Sequence, residues 1–324
     1  MLKERYRSEY GVQVHRKQTI RTAVVAVFIF IVASFGILFF ISWRNQLGNE
    51  RRELLELWEK GSYEQTFAIS RDELSKKPMD YFFLTLHGFS AYQLAIAQIN
   101  SFDTLTFIDS CIWSLRKALL TRETEDDGPV YYVLGKAYYY KGTAYAELAV
   151  KFLEKARSVS YQARDIPEYL GLAYASIQDY RNSVAAFTLA LEPPQDTPMQ
   201  DPGEGDAYPS DLLLLAIARS YIALDETDAA KAYLVRCVDI SRDFDTIVMA
   251  RLLLGGIFSK AGDAEGAETQ YMAILNEGGE NAEAHYQLGE LYAAAGDPTR
   301  ARAEWRRAVR IDPAHGPARV RLNM

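Results

Sequence analysis

The sequence is poor in the side chains that staple small folds or hold metals: two cysteines and four histidines in 324 residues. Two thiols cannot build a disulfide framework. The histidines (His15, His87, His285, His315) are too scattered to complete a multi-ligand zinc site. No HExxH, GxSxG or GxxxxGK run occurs, and the Gly203-Glu204-Gly205 stretch lacks the lysine of a phosphate cradle. The residues therefore name no catalytic group, no metal and no cofactor, and the expectation is a protein that is not an enzyme. Proline is also sparse, at eleven, against 21 tyrosines, which suits a helical chain. Charge is unevenly spread. The net charge is −7, and residues 1–21 hold six Lys/Arg against two Glu, or +4, leaving −11 for the remainder. So acidic a body lacks the cationic footprint of a nucleic-acid binder.

The longest stretch without charge lies near the start. Residues 1–21 form a basic arm with Lys3, Arg5, Arg7, Arg16, Lys17 and Arg21. Residues 22–43 follow, and Ala23–Trp43 is twenty-one residues without a charge. As a helix it would be about 30 Å long, the thickness of a bilayer's hydrocarbon core. Trp43 and Arg44 close it as interfacial anchors do. A cleaved signal peptide would need a shorter apolar core and a better cleavage site than Ala33-Ser34-Phe35. A lipoprotein would need a cysteine just after the run, and the first is Cys111. An uncleaved span is the expectation. Six basic residues precede it and four (Arg44, Arg51, Arg52, Lys60) follow, which predicts a cytoplasmic N-terminus and an exported body.

The body repeats. Val248–Asn281 written above Ala282–His315 aligns at an offset of 34: Leu254 over Leu288, Gly255 over Gly289, Phe258 over Tyr292, Gly262 over Gly296, Ala267 over Ala301, Tyr271 over Trp305. A period of this length marks stacked helical hairpins. Small Gly289 and Ala301 let two helices approach, and large Tyr292 and Trp305 fill the space around them. Asp297-Pro298 reads as a cap followed by proline at the first helical position. Leu288-Gly289-x-x-Tyr292, Gly296, Ala301, Trp305, Ala308 and Pro313 resemble the signature of the tetratricopeptide repeat, a helix–turn–helix. The same spacing recurs with Ile217, Ala218 and Tyr221, with Leu170, Gly171 and Tyr174, and with Leu134, Gly135 and Tyr138. The expected fold is all-α: a solenoid of helix-turn-helix repeats behind one transmembrane helix. Two degenerate units fill 47–127, units three and four fill 128–191, units five to seven fill 211–315, and 316–324 is a short C-terminal tail.

Between units four and five, residues 192–210 (EPPQDTPMQDPGEGDAYPS) carry five acids, no base and five prolines. They read as a solvated loop, disordered or used for docking. The acid run Glu123–Asp127 ahead of Gly128-Pro129 reads as a helix-start cap. His87 and His285 fall at helix-packing positions, and Cys111 and Cys237 at small-residue positions of second helices, as packed thiols.

The resemblance implies a groove lined by first helices that takes a protein or peptide. Carried over by spacing, it holds Tyr132, Lys136, Tyr139, Tyr140, Leu172, Leu212, Leu215, Arg219, Ile222, Met249, Leu252 and Tyr286. Tyr132 and Glu168 stand where members that clamp a carboxylate tail place Lys and Asn, which argues against an acidic C-terminal tail as ligand. The layout resembles bacterial inner-membrane members that assist envelope assembly. The expected function is a membrane-anchored scaffold of the cytoplasmic membrane with a periplasmic array, with a homo-oligomer among the partner expectations. The competing reading is an accessory subunit of an envelope-biogenesis enzyme with the array on the cytoplasmic side.

Overall fold

A computed structural model describes residues 49–98, 101–121, 127–191 and 210–323. The basic arm (1–21), the span (22–43) and all of the acidic loop but Ser210 lie outside them. Every regular element among the described residues is a helix, and none of these helices is long and apolar enough to cross a membrane. The chain divides into two units, Met1–Tyr161 and Gln162–Met324.

The first unit contains α1 (Asn49–Glu59), α2 (Tyr63–Lys76), α3 (Tyr81–Ala97), α4 (Ser101–Thr121), α5 (Gly128–Lys141), a 3-10 turn (Thr143–Tyr145) and α6 (Ala146–Ser158). Asp80 starts α3, its carboxylate accepting from Phe82 N at 3.0 Å while pairing with Arg51 at 2.8 Å. Every residue from Phe82 to Ala95 is buried, as expected for a helix that is apolar on all sides. His87 stacks on Phe67 at 4.3 Å, and its Nδ1 meets Ser114 Oγ at 2.8 Å. Burial, and secondarily the charge of Arg71, pushes its pKa down to about 4.

The second unit contains α7 (Ile166–Ser176), α8 (Tyr180–Ala190), α9 (Asp211–Ala223), α10 (Thr227–Ile240), α11 (Phe244–Lys260), α12 (Ala264–Gly278), α13 (Ala282–Ala294), α14 (Pro298–Ile311) and α15 (Gly316–Asn323). Its core is a series of small clusters, each joining neighbouring hairpins. Phe187 meets Leu213 and Ile217, Leu234 and Cys237 meet Leu254, and Tyr271 meets Leu288. Such a core is the mark of a solenoid, in which each hairpin buries its apolar face only against the next. The stretch read as a tail, 316–324, is helical over Gly316–Asn323. Ala318 is fully buried against Trp305, and His315 Nδ1 accepts from Ala318 N at 3.2 Å. That ring therefore carries its proton on Nε2, which donates to Glu283 at 3.1 Å.

Two local rules recur through the hairpins. First, a first-helix glycine faces a large second-helix side chain. A Cβ on Gly171 would overlap Phe187, on Gly255 Tyr271, and on Gly289 Trp305; on Gly88 and Gly135 it would stand 2.5 Å from Leu115 and Leu153. Second, the turn residue is left-handed at the same repeat position: Gly61, Gln178, Asp225, Gly262 and Gly296, with φ from 61° to 79°. The next residue's N–H then reaches back to the first helix at 2.9 Å, as in Asp179 N to Tyr174 O and Asp297 N to Tyr292 O. This is the backbone pattern that closes helices through a left-handed residue.

These geometries predict opposite effects. Gln178→Gly relieves a side chain held at φ 63° and should stabilise the protein by about 0.5–1 kcal/mol, whereas Gly289→Ala should cost roughly 1–3 kcal/mol by overpacking against Trp305. Urea denaturation of the two variants checks both, and a destabilised Gln178→Gly would contradict the shared turn.

His87 sets a pH dependence. Its folded pKa of about 4 lies below the ordinary 6.5, so the folded state binds fewer protons there than the unfolded chain. Its contribution is complete above pH 6.5 and is lost as the pH falls towards 4. The loss should be on the order of 1–3 kcal/mol. Denaturation midpoints against pH should fall across that window and fall less in His87→Gln, which keeps a hydrogen-bonding partner for Ser114.

Candidate functional site

Of the fifteen residues expected to pack the repeats, twelve are buried. Leu134, Tyr138, Leu170, Leu254, Ala267, Leu288, Ala301 and Trp305 are buried, beside the buried Gly135, Gly171, Gly255 and Gly289. Tyr138 stacks on Phe152 at 5.5 Å with the rings nearly parallel. Tyr174, Phe258 and Tyr292 are half-buried. Tyr292 keeps its hydroxyl at the edge, donating to Glu268 at 2.6 Å, and burial together with this bond raises its pKa to about 12.

The twelve residues assigned to the groove do not form one surface. In the first unit, Tyr132 and Lys136 are buried, which corrects their assignment. The Lys136 ammonium donates to the Tyr132 hydroxyl at 3.0 Å and lies over the rings of Tyr132 and Tyr92, at 5.0 and 5.7 Å. Tyr132 in turn packs on Tyr161 at 5.5 Å. The side of α5 expected to meet a partner is thus occupied by the chain's own aromatic rings. Tyr139 is half-buried and Tyr140 is 40% exposed, its ring 6.2 Å from Tyr92.

In the second unit Leu215 is buried in the cluster that joins α9 to α11, a second correction. Leu172, Ile222, Met249 and Leu252 are half-buried and pack against the clusters between hairpins. Tyr286 is half-buried beside His315, with ring centroids 5.2 Å apart, under the end closed by α15. Glu290 and Arg321 pair there. The stretch 316–324, expected as a tail, supplies that cover through Gly316–Asn323; Pro317 right after Gly316, proline at a helix start, is the sign of it in the sequence. Leu212, 60% exposed, and Arg219, also exposed, remain on the open side of α9. The Arg219 guanidinium donates to Met249 Sδ at 3.4 Å and so bridges the first helices of two hairpins. Spaced seven apart, Leu212 and Arg219 share one face of α9. The face offers an apolar side chain beside a cation, suited to an extended or helical segment with apolar and acidic residues.

The described thiols and buried imidazoles are engaged in packing. Cys111 and Cys237 are buried free thiols. Burial raises the pKa of Cys111, and burial with nearby Asp211 raises that of Cys237 to about 11, so neither supplies a thiolate at neutral pH. His285 Nδ1 meets Glu304 Oε2 at 2.6 Å, and Glu304 also pairs with Arg307 at 2.6 Å, tying that ring into the α13–α14 packing. Asp127, of the acid run, makes no side-chain cap bond to α5; it accepts from the Tyr81 hydroxyl at 2.6 Å. Among the described residues no group of three or more His, Cys, Asp or Glu could hold a metal.

Family models for the tetratricopeptide repeat match residues 213–244 and 282–315, the α9–α10 and α13–α14 hairpins. No curated protein matches the chain. Among solved structures, the C-terminal part of a TPR repeat-containing protein from Cytophaga hutchinsonii is similar at 14% identity with a TM-score of 0.57, covering 85% of this chain and 100% of that one. PilW, a widely conserved type IV pilus biogenesis factor, is similar at 17% identity with a TM-score of 0.53, covering 72% of this chain and 97% of that one. At these identities the likeness is one of fold. Two hairpins match the repeat's own model and the other described helices pair in the same way, so the chain carries tetratricopeptide repeats, at 213–244 and 282–315, within a fold of that type.

Proposed function

We propose that this protein is a membrane-anchored scaffold that takes a protein or peptide segment along the first-helix face of its second unit. The observation that carries the reading is the Leu212–Arg219 face, open on α9 and continued to Met249 of the next hairpin. Repeats of this kind serve as interaction scaffolds, and the described cysteines and histidines are engaged in packing, so the protein has no catalytic role in this reading. Residues 22–43 anchor it in a bacterial cytoplasmic membrane with the N-terminus inside and the array in the periplasm. The basis is the charge-free run and the excess of basic residues before it. There it assists assembly of a cell-envelope complex. PilW shares the fold and is described as a pilus biogenesis factor; the envelope setting here rests on the arm and the charge-free run.

The double variant Leu212→Glu, Arg219→Glu should lower the yield of specific crosslinked partners from membranes by roughly ten-fold or more. Helicity and thermal melting should stay near those of the parent, because both side chains are exposed. Equal yields of the same adducts would overturn the face. Alkaline phosphatase fused after Met324 should be active, and an inactive fusion that is stably made would place the array in the cytoplasm.

A further inference from the structure

We propose that α4 is a second membrane contact: its outward face lies flat in the headgroup region of the bilayer that holds residues 22–43. The inference deepens the anchoring proposed above and rests on it for the nearness of the lipid.

Among the described residues thirteen large apolar side chains are exposed, and α4 carries four of them: Phe102 (74%), Leu105 (44%), Trp113 (53%) and Leu120 (79%). No other helix carries more than one, and Phe102 and Leu120 are the two most exposed. At about 100° per residue, Phe102, Trp113 and Leu120 fall within about 20° of one line, which runs roughly 27 Å along the helix. Two exposed charges lie near that line, Asp109, whose side chain is 60% exposed, and Arg116, and each is tied to a neighbouring helix. Asp109 pairs with Lys141 at 2.6 Å, and Arg116 donates to the Tyr138 hydroxyl at 3.4 Å. Lys117 Nζ sits 4.2 Å from the Trp113 ring centre. Exposed tryptophan and aliphatic side chains beside lysine and arginine on a mixed helix face are a composition that lies in the interface between headgroups and acyl chains.

Two observations favour lipid over protein as the occupant. The charge-free run ends at Trp43, six residues before α1 begins at Asn49. Those residues span at most about 20 Å, so α1, and the unit that contains it, starts close to the membrane surface. Second, the four side chains present on the order of 400 Å² of apolar surface, about half of what each partner of a stable protein complex buries. A tethered helix needs less contact, because the anchor already sets a high local lipid concentration.

The full chain reconstituted into phosphatidylethanolamine–phosphatidylglycerol vesicles tests this. Leu105→Cys and Leu120→Cys variants, with Val320→Cys of α15 as control, are labelled with the fluorophore NBD; native Cys111 and Cys237 are buried and should not react. Lipids brominated near the glycerol end of their chains should quench NBD at 105 and 120 by at least about two-fold and leave position 320 unchanged. Equal, weak quenching at all three positions overturns the proposal. So does a blue shift at 105 and 120 that grows with protein concentration but ignores brominated lipid, which would assign the face to a second copy. Carbonate extraction of the same vesicles separates the two ideas. Quenching in chains that carbonate removes keeps the α4 contact and sinks the anchor; chains that resist extraction without quenching keep the anchor and sink the contact.

Discussion

One contact organises the structure: a first-helix position with no side chain pressed against a large side chain of the second helix. Gly171 takes Phe187, Gly255 takes Tyr271 and Gly289 takes Trp305, each so closely that one added carbon would overlap the ring. Dispersion is gained only at contact distance, so each pair is strongest where the glycine lets the helices close. The left-handed turn residue at Gly262 or Gly296 closes the same hairpin from its tip. Once closed, a hairpin meets its neighbours through its remaining buried apolar side chains, and the clusters of the second unit are those meetings. Its far end is sealed by α15, through Ala318 on Trp305 and the Glu290–Arg321 pair.

This constraint explains which parts of the molecule can be read from sequence. A small residue facing a large one at a fixed offset leaves a pattern in the chain, so the hairpins at 248–315 are legible from Gly255, Gly289, Tyr271 and Trp305 alone. The turns at Gln178 and Asp225 are legible only by register, because neither residue announces a positive φ. The open surface is harder, since exposure depends on the neighbour as well as on the position. Tyr132 and Lys136 occupy positions that face outward in a regular repeat. Here α3 is longer and apolar all round, and its Tyr92 ring meets the Lys136 ammonium. Leu215 follows the same logic, being absorbed by the cluster between α9 and α11. Leu212 and Arg219 stay open because no described side chain fills the far side of α9 over them.

The exposed face of α4 carries the complementary lesson. Its apolar residues would ordinarily be assigned to the core, and only the packing of α3 on its other side through Gly88 and Leu115 shows that they point away. A scaffold of this design separates its tasks by helix. Glycine-bearing faces close the hairpins, cluster residues join them, and what is left over is available to partners or to lipid.

The claim on which the functional account turns is that the open first-helix face of α9, rather than the back of its hairpin, meets the partner. A photo-crosslinking amino acid placed at 212 or 219 in the full chain, and at Val235 of α10 as the exposed position on the second helix, tests it in intact membranes. The account predicts a discrete adduct from 212 and 219 and none from 235. The same adduct from 235, or adducts from 235 alone, would contradict it.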